Sequence, residues 1–289
     1  MGCMGHHFVP QAYLRAFQSP NHPGMIWVYP RNGDPRLASI KNVAQASDFY
    51  DEDVERELNT LVEAPANPFL DRLRRSEFIE ADGKYRVSVY IATMLKRVPR
   101  SRERGELMIP KSLEITVSEL RNELTELAAQ GSVEPQRLQT WLSQLDTAYL
   151  KYKDDPPQEV LDQLRIPWPT AEMVNAIRGM QWRILVARSP EMFITSDNPA
   201  FFFEAYGVVQ EHAEVCLALS PTHCLHCSHQ RIPDGDVAFI FADRETPREI
   251  NRRIASAATS IVMAHERQSW PTKLLRKQNP YLSRINWTN

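Results

Sequence analysis

The chain has 289 residues, with 34 Lys and Arg against 36 Asp and Glu for a formal charge of −2. That length buries a sizeable core as one large domain or two smaller ones, and the near-neutral balance removes a global basic field as the means of holding nucleic acid. No apolar run approaches the roughly 20 residues that cross a bilayer, no secretory signal pattern opens the chain, and four cysteines, Cys3, Cys216, Cys224 and Cys227, are too few for a disulfide framework, so a cytoplasmic location is expected.

In chain order, His6-His7-Phe8-Val9-Pro10-Gln11 leads into a short apolar helix pattern of Tyr13, Leu14 and Phe17. Pro10 suits the first helical position, because its missing N–H has no intrahelical partner there. Residues 25–29 read as a strand, and Asn32-Gly33-Asp34 as the turn that reverses it. A helix near residues 52–64 puts Val54, Leu58, Leu61 and Val62 on one face, and Pro65 and Pro68 interrupt it. The middle third is helical, over 86–98, 111–129 and 135–152, with Gly131 and Pro156-Pro157 as punctuation. From Pro169 the texture changes to one helix, 171–180, and short β-rich runs at 182–187, 192–195, 215–219, 224–228 and 237–241. A helix over 247–258 and a strand over 260–264 follow. The expectation is a single α+β domain, 1–289, with a mixed or antiparallel sheet, packed helices and a helical middle insertion over 84–168. The N-terminal strands are expected to join the C-terminal sheet, and the charged middle block reads as a cover or interaction surface.

Paired histidines at a helix entrance can act as ligands, acid–base groups or donors to an anion, or can simply cap the helix. The second candidate is Thr195-Ser196-Asp197-Asn198-Pro199. A strand pattern there stops at Asn198-Pro199, which disfavours helix and starts a turn. The Asp197 carboxylate is left at a strand end with phenylalanines 201–203 behind it; the structural alternative is an Asx-turn over core aromatics. The basic run from Lys96 to Arg104 reads as solvated surface or a local nucleic-acid stripe. Asn251 on the late helix is expected to make a buried hydrogen bond, beside a basic edge of Arg248, Arg252 and Arg253.

Cys224 and Cys227 have Cys-x-x-Cys spacing, but a zinc site wants four ligands and no second pair exists, which leaves His226, His229 or Cys216 to complete it. Strand alternation also puts the two thiols on opposite faces. Between Glu57 and Glu63 a helix turns through about 600°. Glu57 is therefore expected to point inward, and Glu63 away unless Pro65 bends the end.

Several of these stretches together resemble a bacterial family catalogued as domain of unknown function 4238. They are His6-His7-Phe8-Val9-Pro10-Gln11 with Tyr13-Leu14-Arg15-Ala16-Phe17, Ser47-Asp48-Phe49-Tyr50, Glu57 and Glu63, Phe193-Ile194-Thr195-Ser196-Asp197-Asn198-Pro199, and Asn251 in Glu249-Ile250-Asn251-Arg252. The resemblance spans nearly the full chain. It implies no established mechanism, but it implies a place in defence against phage, and so nucleic acid as substrate.

Two chemistries follow from that implication. In the first, a DNA glycosylase-like excision of a base from modified phage DNA, Asp197 with Asn198 stabilises an oxocarbenium-like transition state or activates water, and needs no cofactor. His6 or His7 grips a phosphate or assists the leaving base, Phe201 walls the extruded base, and Arg15, Lys96, Arg97 and Arg252 contact the DNA backbone. In the second, a metal-dependent nuclease, the His-His-Phe-Val-Pro run is similar to the opening of the HNH motif. The asparagine-then-histidine pair of that motif is missing, so the cation falls to His6, His7, Glu57, Glu63 and Asp197. A non-catalytic sensor or protein-interaction module built on the helical middle is the third expectation. The first of these needs the imidazoles and Asp197 in one pocket.

Overall fold

The computed structural model describes residues 5–47, 49, 52–188, 190–202, 207–232 and 236–277. Helix makes up about 50% and strand 18%, in separate helical and β-rich stretches around mixed and antiparallel sheets, which is an α+β architecture. Two compact units are present: one joins the chain up to Arg100 to the chain from Pro167 onward, and the other is Ser101–Ile166.

In the first unit β1 (Gly5–His7) pairs antiparallel with β4 (Gln45–Ser47), setting His6 opposite Ala46 and His7 opposite Gln45. Helix α1 (Gln11–Arg15) follows, with Pro10 as its N-cap rather than its first helical residue. The Pro10 carbonyl accepts the Leu14 N–H, so the missing donor costs the helix nothing. The chain just past the histidines is aimed by Ala44, whose φ of 52° lies in the left-handed region. A side chain there costs on the order of 1 kcal/mol. In return the Ala44 carbonyl accepts the N–H of both Phe8 and Val9, at 3.1 and 3.4 Å.

The hairpin of β2 (Met25–Pro30) and β3 (Arg36–Ser39) turns at Gly33, where φ is 124°. Strand β2 also pairs with β11 (Ile261–Ala264), which pairs with β6 (Thr195–Ser196), giving a four-stranded antiparallel sheet ordered β3-β2-β11-β6. Of the N-terminal strands, β2 and β3 join the C-terminal β11 and β6, whereas β1 and β4 form a two-stranded sheet of their own. A five-stranded sheet runs β10 (Val237–Phe241), β5 (Gln181–Val186), β9 (His223–Ser228), β8 (Glu214–Ala218) and β7 (Ala200–Phe202), with β10–β5 its parallel pair. Every residue of β8 and β9 is buried, with Glu214, His223, His226 and Ser228 enclosed among the apolar side chains.

Pro65 and Pro68 do not interrupt the helix that carries Glu57. α2 (Glu52–Glu57) passes through a π-helical turn (Leu58–Glu63) into α3 (Ala64–Arg74). Pro65 sits in the first turn of α3, where an N–H is dispensable, and Pro68 is accommodated inside that helix. α4 (Ala81–Lys96) starts ahead of the expected residue 86 and packs against α3 and against α8 (Ala171–Gly179). Gly83 permits the α3–α4 approach, because a β-carbon there would lie 2.5 Å from the Phe69 ring. α9 (Glu245–Ala257) and α10 (Pro271–Arg276) complete this unit.

The second unit holds most of α5 (Pro99–Ala129), with α6 (Pro135–Tyr152) and α7 (Gln158–Leu164). An Arg121–Asp146 ion pair joins α5 to α6. Among the described residues of these three helices, Val117 alone has a buried side chain. No helix among the described residues is long and apolar enough to cross a membrane.

Candidate functional site

A cavity of about 570 Å³ opens between β1, the start of α1 and the helix that passes through the π-turn. His6, His7, Gln11 and Arg15 line it from one side, and Glu52, Glu55, Arg56, Asn59 and Glu63 from the other. The second set follows from spacing. Glu52, Glu55, Asn59 and Glu63 step by three and four residues along one helix face. The π-turn hydrogen-bonds i→i+5, with more residues per turn than an α-helix, so the sweep from Glu57 to Glu63 is smaller than about 600°. The inward and outward glutamates are therefore the reverse of the expectation: Glu63 is 9% exposed and Glu57 lies on the surface, off the cavity.

Arg97 organises the floor of the cavity. It is 1% exposed and donates to Glu63 Oε1 at 2.6 Å and to the His7 carbonyl at 2.5 Å. Its guanidinium also lies 3.7 Å from Glu55 Oε2. A guanidinium this deep cannot contact a nucleic-acid backbone, as the sequence expectation had it; it positions β1 and two carboxylates. The Glu55 Oε2 atom is buried and accepts no hydrogen bond among the described residues. Burial pushes the Glu55 carboxyl up from its ordinary value, against the pull of Arg97 and of the His7 backbone N–H that donates to it. The His7 imidazole moves the other way. Burial lowers its pKa, opposed by a 3.1 Å hydrogen bond between Nε2 and the Lys41 carbonyl. A carbonyl only accepts, so Nε2 carries the proton in that bond and Nδ1 is left as the basic atom of a neutral ring.

Asp197 does not share this cavity. It is 2% exposed and serves the turn between α9 and β11: Oδ1 accepts the Thr259 N–H at 2.9 Å, while Oδ2 accepts the Ser260 N–H, the Ser260 hydroxyl and the Ile261 N–H at 2.6, 2.8 and 3.0 Å. Burial raises its pKa against these four donors. Asn198 is equally structural, giving its side-chain N–H to the Ala257 carbonyl at 2.8 Å. Phe201 is buried in β7 opposite Cys216 and does not line the histidine cavity. What does join the two motifs is Tyr13. Its hydroxyl donates to the Ala218 carbonyl and bonds Thr195 Oγ1, each at 2.7 Å. With one proton on the phenol, the Thr195 hydroxyl must be the donor to Tyr13.

Of the other candidates, Arg15 is exposed at the cavity rim, whereas Lys96 at the end of α4 is half-buried and lies outside the lining. Arg252 pairs with Glu249 and borders a different cavity, of about 270 Å³, with Arg248 and Trp270. Asn251 makes the expected buried hydrogen bonds, accepting from Ile194 N–H and donating to the Met192 carbonyl. Cys216, Cys224, Cys227 and His226 are buried in β8 and β9, and His229 is exposed. No three His, Cys, Asp or Glu side chains among the described residues are grouped to hold a metal ion. Cys3, Asp48, Tyr50 and Phe203 lie outside the described residues.

Glu52, Glu55, Arg56, Asn59 and Gln11 were missed by the motif reading. The signal for four of them was present, as a polar stripe across the helix from Val54, Leu58 and Val62.

An α+β unit with a polar cavity at its N-terminal strand is thus the class that fold and site define. The chain belongs to the family described as Protein of unknown function (DUF4238), whose sequence profile matches residues 5–268. No curated protein and no solved structure matches it. The family membership brings no activity with it.

Proposed function

We propose that this protein is a nucleic-acid-directed hydrolase that cleaves a phosphodiester in the histidine cavity. The observation that carries the reading is the convergence of two imidazoles, three carboxylates and two guanidinium groups on one cavity of about 570 Å³, within the range of about 300–1,000 Å³ common for small-ligand sites. That space suits one nucleotide unit of a strand. Arg15 supplies a planar fork for a phosphate at the rim. His7 Nδ1, neutral near pH 7, takes the proton of the attacking water as the new P–O bond forms. Glu55, held toward its protonated form by burial, gives a proton to the departing oxygen. Arg97 holds both groups in register.

Base excision through Asp197 is less well supported: that carboxylate is fully engaged by one turn, and no Phe, Tyr or Trp ring lines the cavity to stack an extruded base. Metal assistance is less well supported as well, because no three His, Cys, Asp or Glu side chains among the described residues are grouped to hold an ion.

Incubation with single-stranded, duplex and hypermodified DNA and with RNA, with and without EDTA, tests the proposal. Strand breaks that need no alkali and vanish in His7→Ala and Glu55→Gln support it. Loss of the breaks in EDTA assigns the metal-assisted form. Breaks that appear only after alkali would replace it with base excision, and intact strands throughout would leave a binding module.

A further inference from the structure

The side chains that line the histidine cavity divide by what already engages them. Glu63 and Glu55 face Arg97, the His7 imidazole bonds the Lys41 carbonyl, and Arg56 pairs with Asp53. Four others meet no hydrogen-bond or ion-pair partner through their side chains among the described residues: the Gln11 and Asn59 amides, the Arg15 guanidinium and the Glu52 carboxylate. Helix spacing sorts these four by wall. Gln11 and Arg15 are four residues apart on α1, and Glu52 and Asn59 share the inward face of the helix opposite. One wall thus offers a cation and an amide, the other an acceptor-only carboxylate and an amide.

Those groups restrict what fits between them. A phosphate belongs to the Arg15 side, where the guanidinium fork and the Gln11 amide N–H both donate. A group that reaches the other wall has to bring N–H donors to Glu52, and a donor beside an acceptor to satisfy the Asn59 amide. Adenine, cytosine and guanine each carry an exocyclic amino group next to a ring nitrogen. Thymine and uracil turn keto oxygens outward instead, which would meet the Glu52 carboxylate acceptor to acceptor. The reading edge has to be free of a pairing partner, so the strand is single.

We propose that Glu52 and Asn59 read the base, and that the cavity takes a single-stranded segment whose base carries an exocyclic amino group. The inference rests on the phosphodiester hydrolase function proposed for this cavity. Fluorescence anisotropy of the full chain with labelled hexamers tests it, on strands that differ by amino against keto: deoxyadenosine with deoxyinosine, and deoxycytidine with deoxyuridine. Within each pair the amino member is expected to bind at least about fivefold tighter, and a hairpin duplex more weakly than either. Glu52→Gln and Asn59→Ala are each expected to bring the ratio toward one. The two strands of a pair carry equal charge, so the charge lost in Glu52→Gln cancels in that ratio. Hexamers that bind with no preference in either pair would overturn this inference and leave the hydrolase function standing. So would a preference that either variant keeps, or a duplex that binds as tightly as the single strands. No binding of any strand would overturn both.

Discussion

Arg97 is the residue on which the cavity turns, because one buried guanidinium satisfies Glu63, the His7 carbonyl and part of Glu55. Removing one partner of such a pair leaves a buried charge uncompensated and costs about 3–5 kcal/mol, whereas replacing both with apolar groups is often close to neutral. Arg97→Met is thus expected to lose about 3 kcal/mol or more in urea unfolding, and Arg97→Met/Glu63→Leu to recover most of it. Equal losses in the two variants would show that the pair is not what holds this region. Asp197 is the contrasting residue. Asp197→Asn turns a side-chain donor toward backbone N–H groups, at an expected cost of about 2 kcal/mol or about 4–8 °C in Tm. Because Asp197 lies outside the cavity, specific activity well below Tm is expected to stay near wild type. An inactive but equally stable Asn variant would return Asp197 to the mechanism.

Among the elements, the α3–α4 pair sets the distance between Glu63, just before α3, and Arg97, just after α4. Alanine at position 83 would gain about 1 kcal/mol in helix propensity, but its β-carbon would stand 2.5 Å from Phe69 Cδ1 and 2.9 Å from Cε1. Overpacking of that kind costs about 1–3 kcal/mol, so Gly83→Ala is expected to lower Tm; a rise would mean that the Phe69 ring moves aside freely. Much at this scale was legible in the sequence. α6 and β10 lie where periodicity put them, and the strands around Trp27, Val215 and Leu225 agree to within a residue or two at their ends. The cavity was half legible. Adjacent histidines ahead of Pro10 marked one wall, but the other depends on a π-turn, and no 3.6-residue template anticipates that. Asp197 misled for a related reason. A strand that ends in Asp-Asn-Pro can present its carboxylate outward or fold it onto the next turn, and the deciding N–H groups of residues 259–261 are remote in sequence.

In the molecule as a whole, buried histidines give stability a pH sign. Burial lowers the pKa of His7, His223, His226 and His265 below 6.5. In that window the unfolded chain binds more protons than the folded one, so stability is complete above 6.5 and is lost as pH falls through the folded values. His226, 3.3 Å from Glu214 in the β8–β9 core, is the deepest of them. Glu55 and Asp197 work in the opposite sense, since their raised pKa values cost stability as pH climbs from 4.5 and 3.8. Four groups against two predict a Tm that drops between pH 7 and pH 5, with a shallower slope in His226→Gln. A Tm that is flat or rises on acidification would contradict this.

The central claim is that nucleic acid enters the cavity beside β1. Histidine-selective NMR of the full chain, titrated with a short oligonucleotide, tests it most directly. The imidazole signals of His6 and His7 are expected to shift with saturation, while those of His223 and His226 hold still. Saturable binding that leaves the His6 and His7 signals unmoved, or no binding at all, would contradict the account.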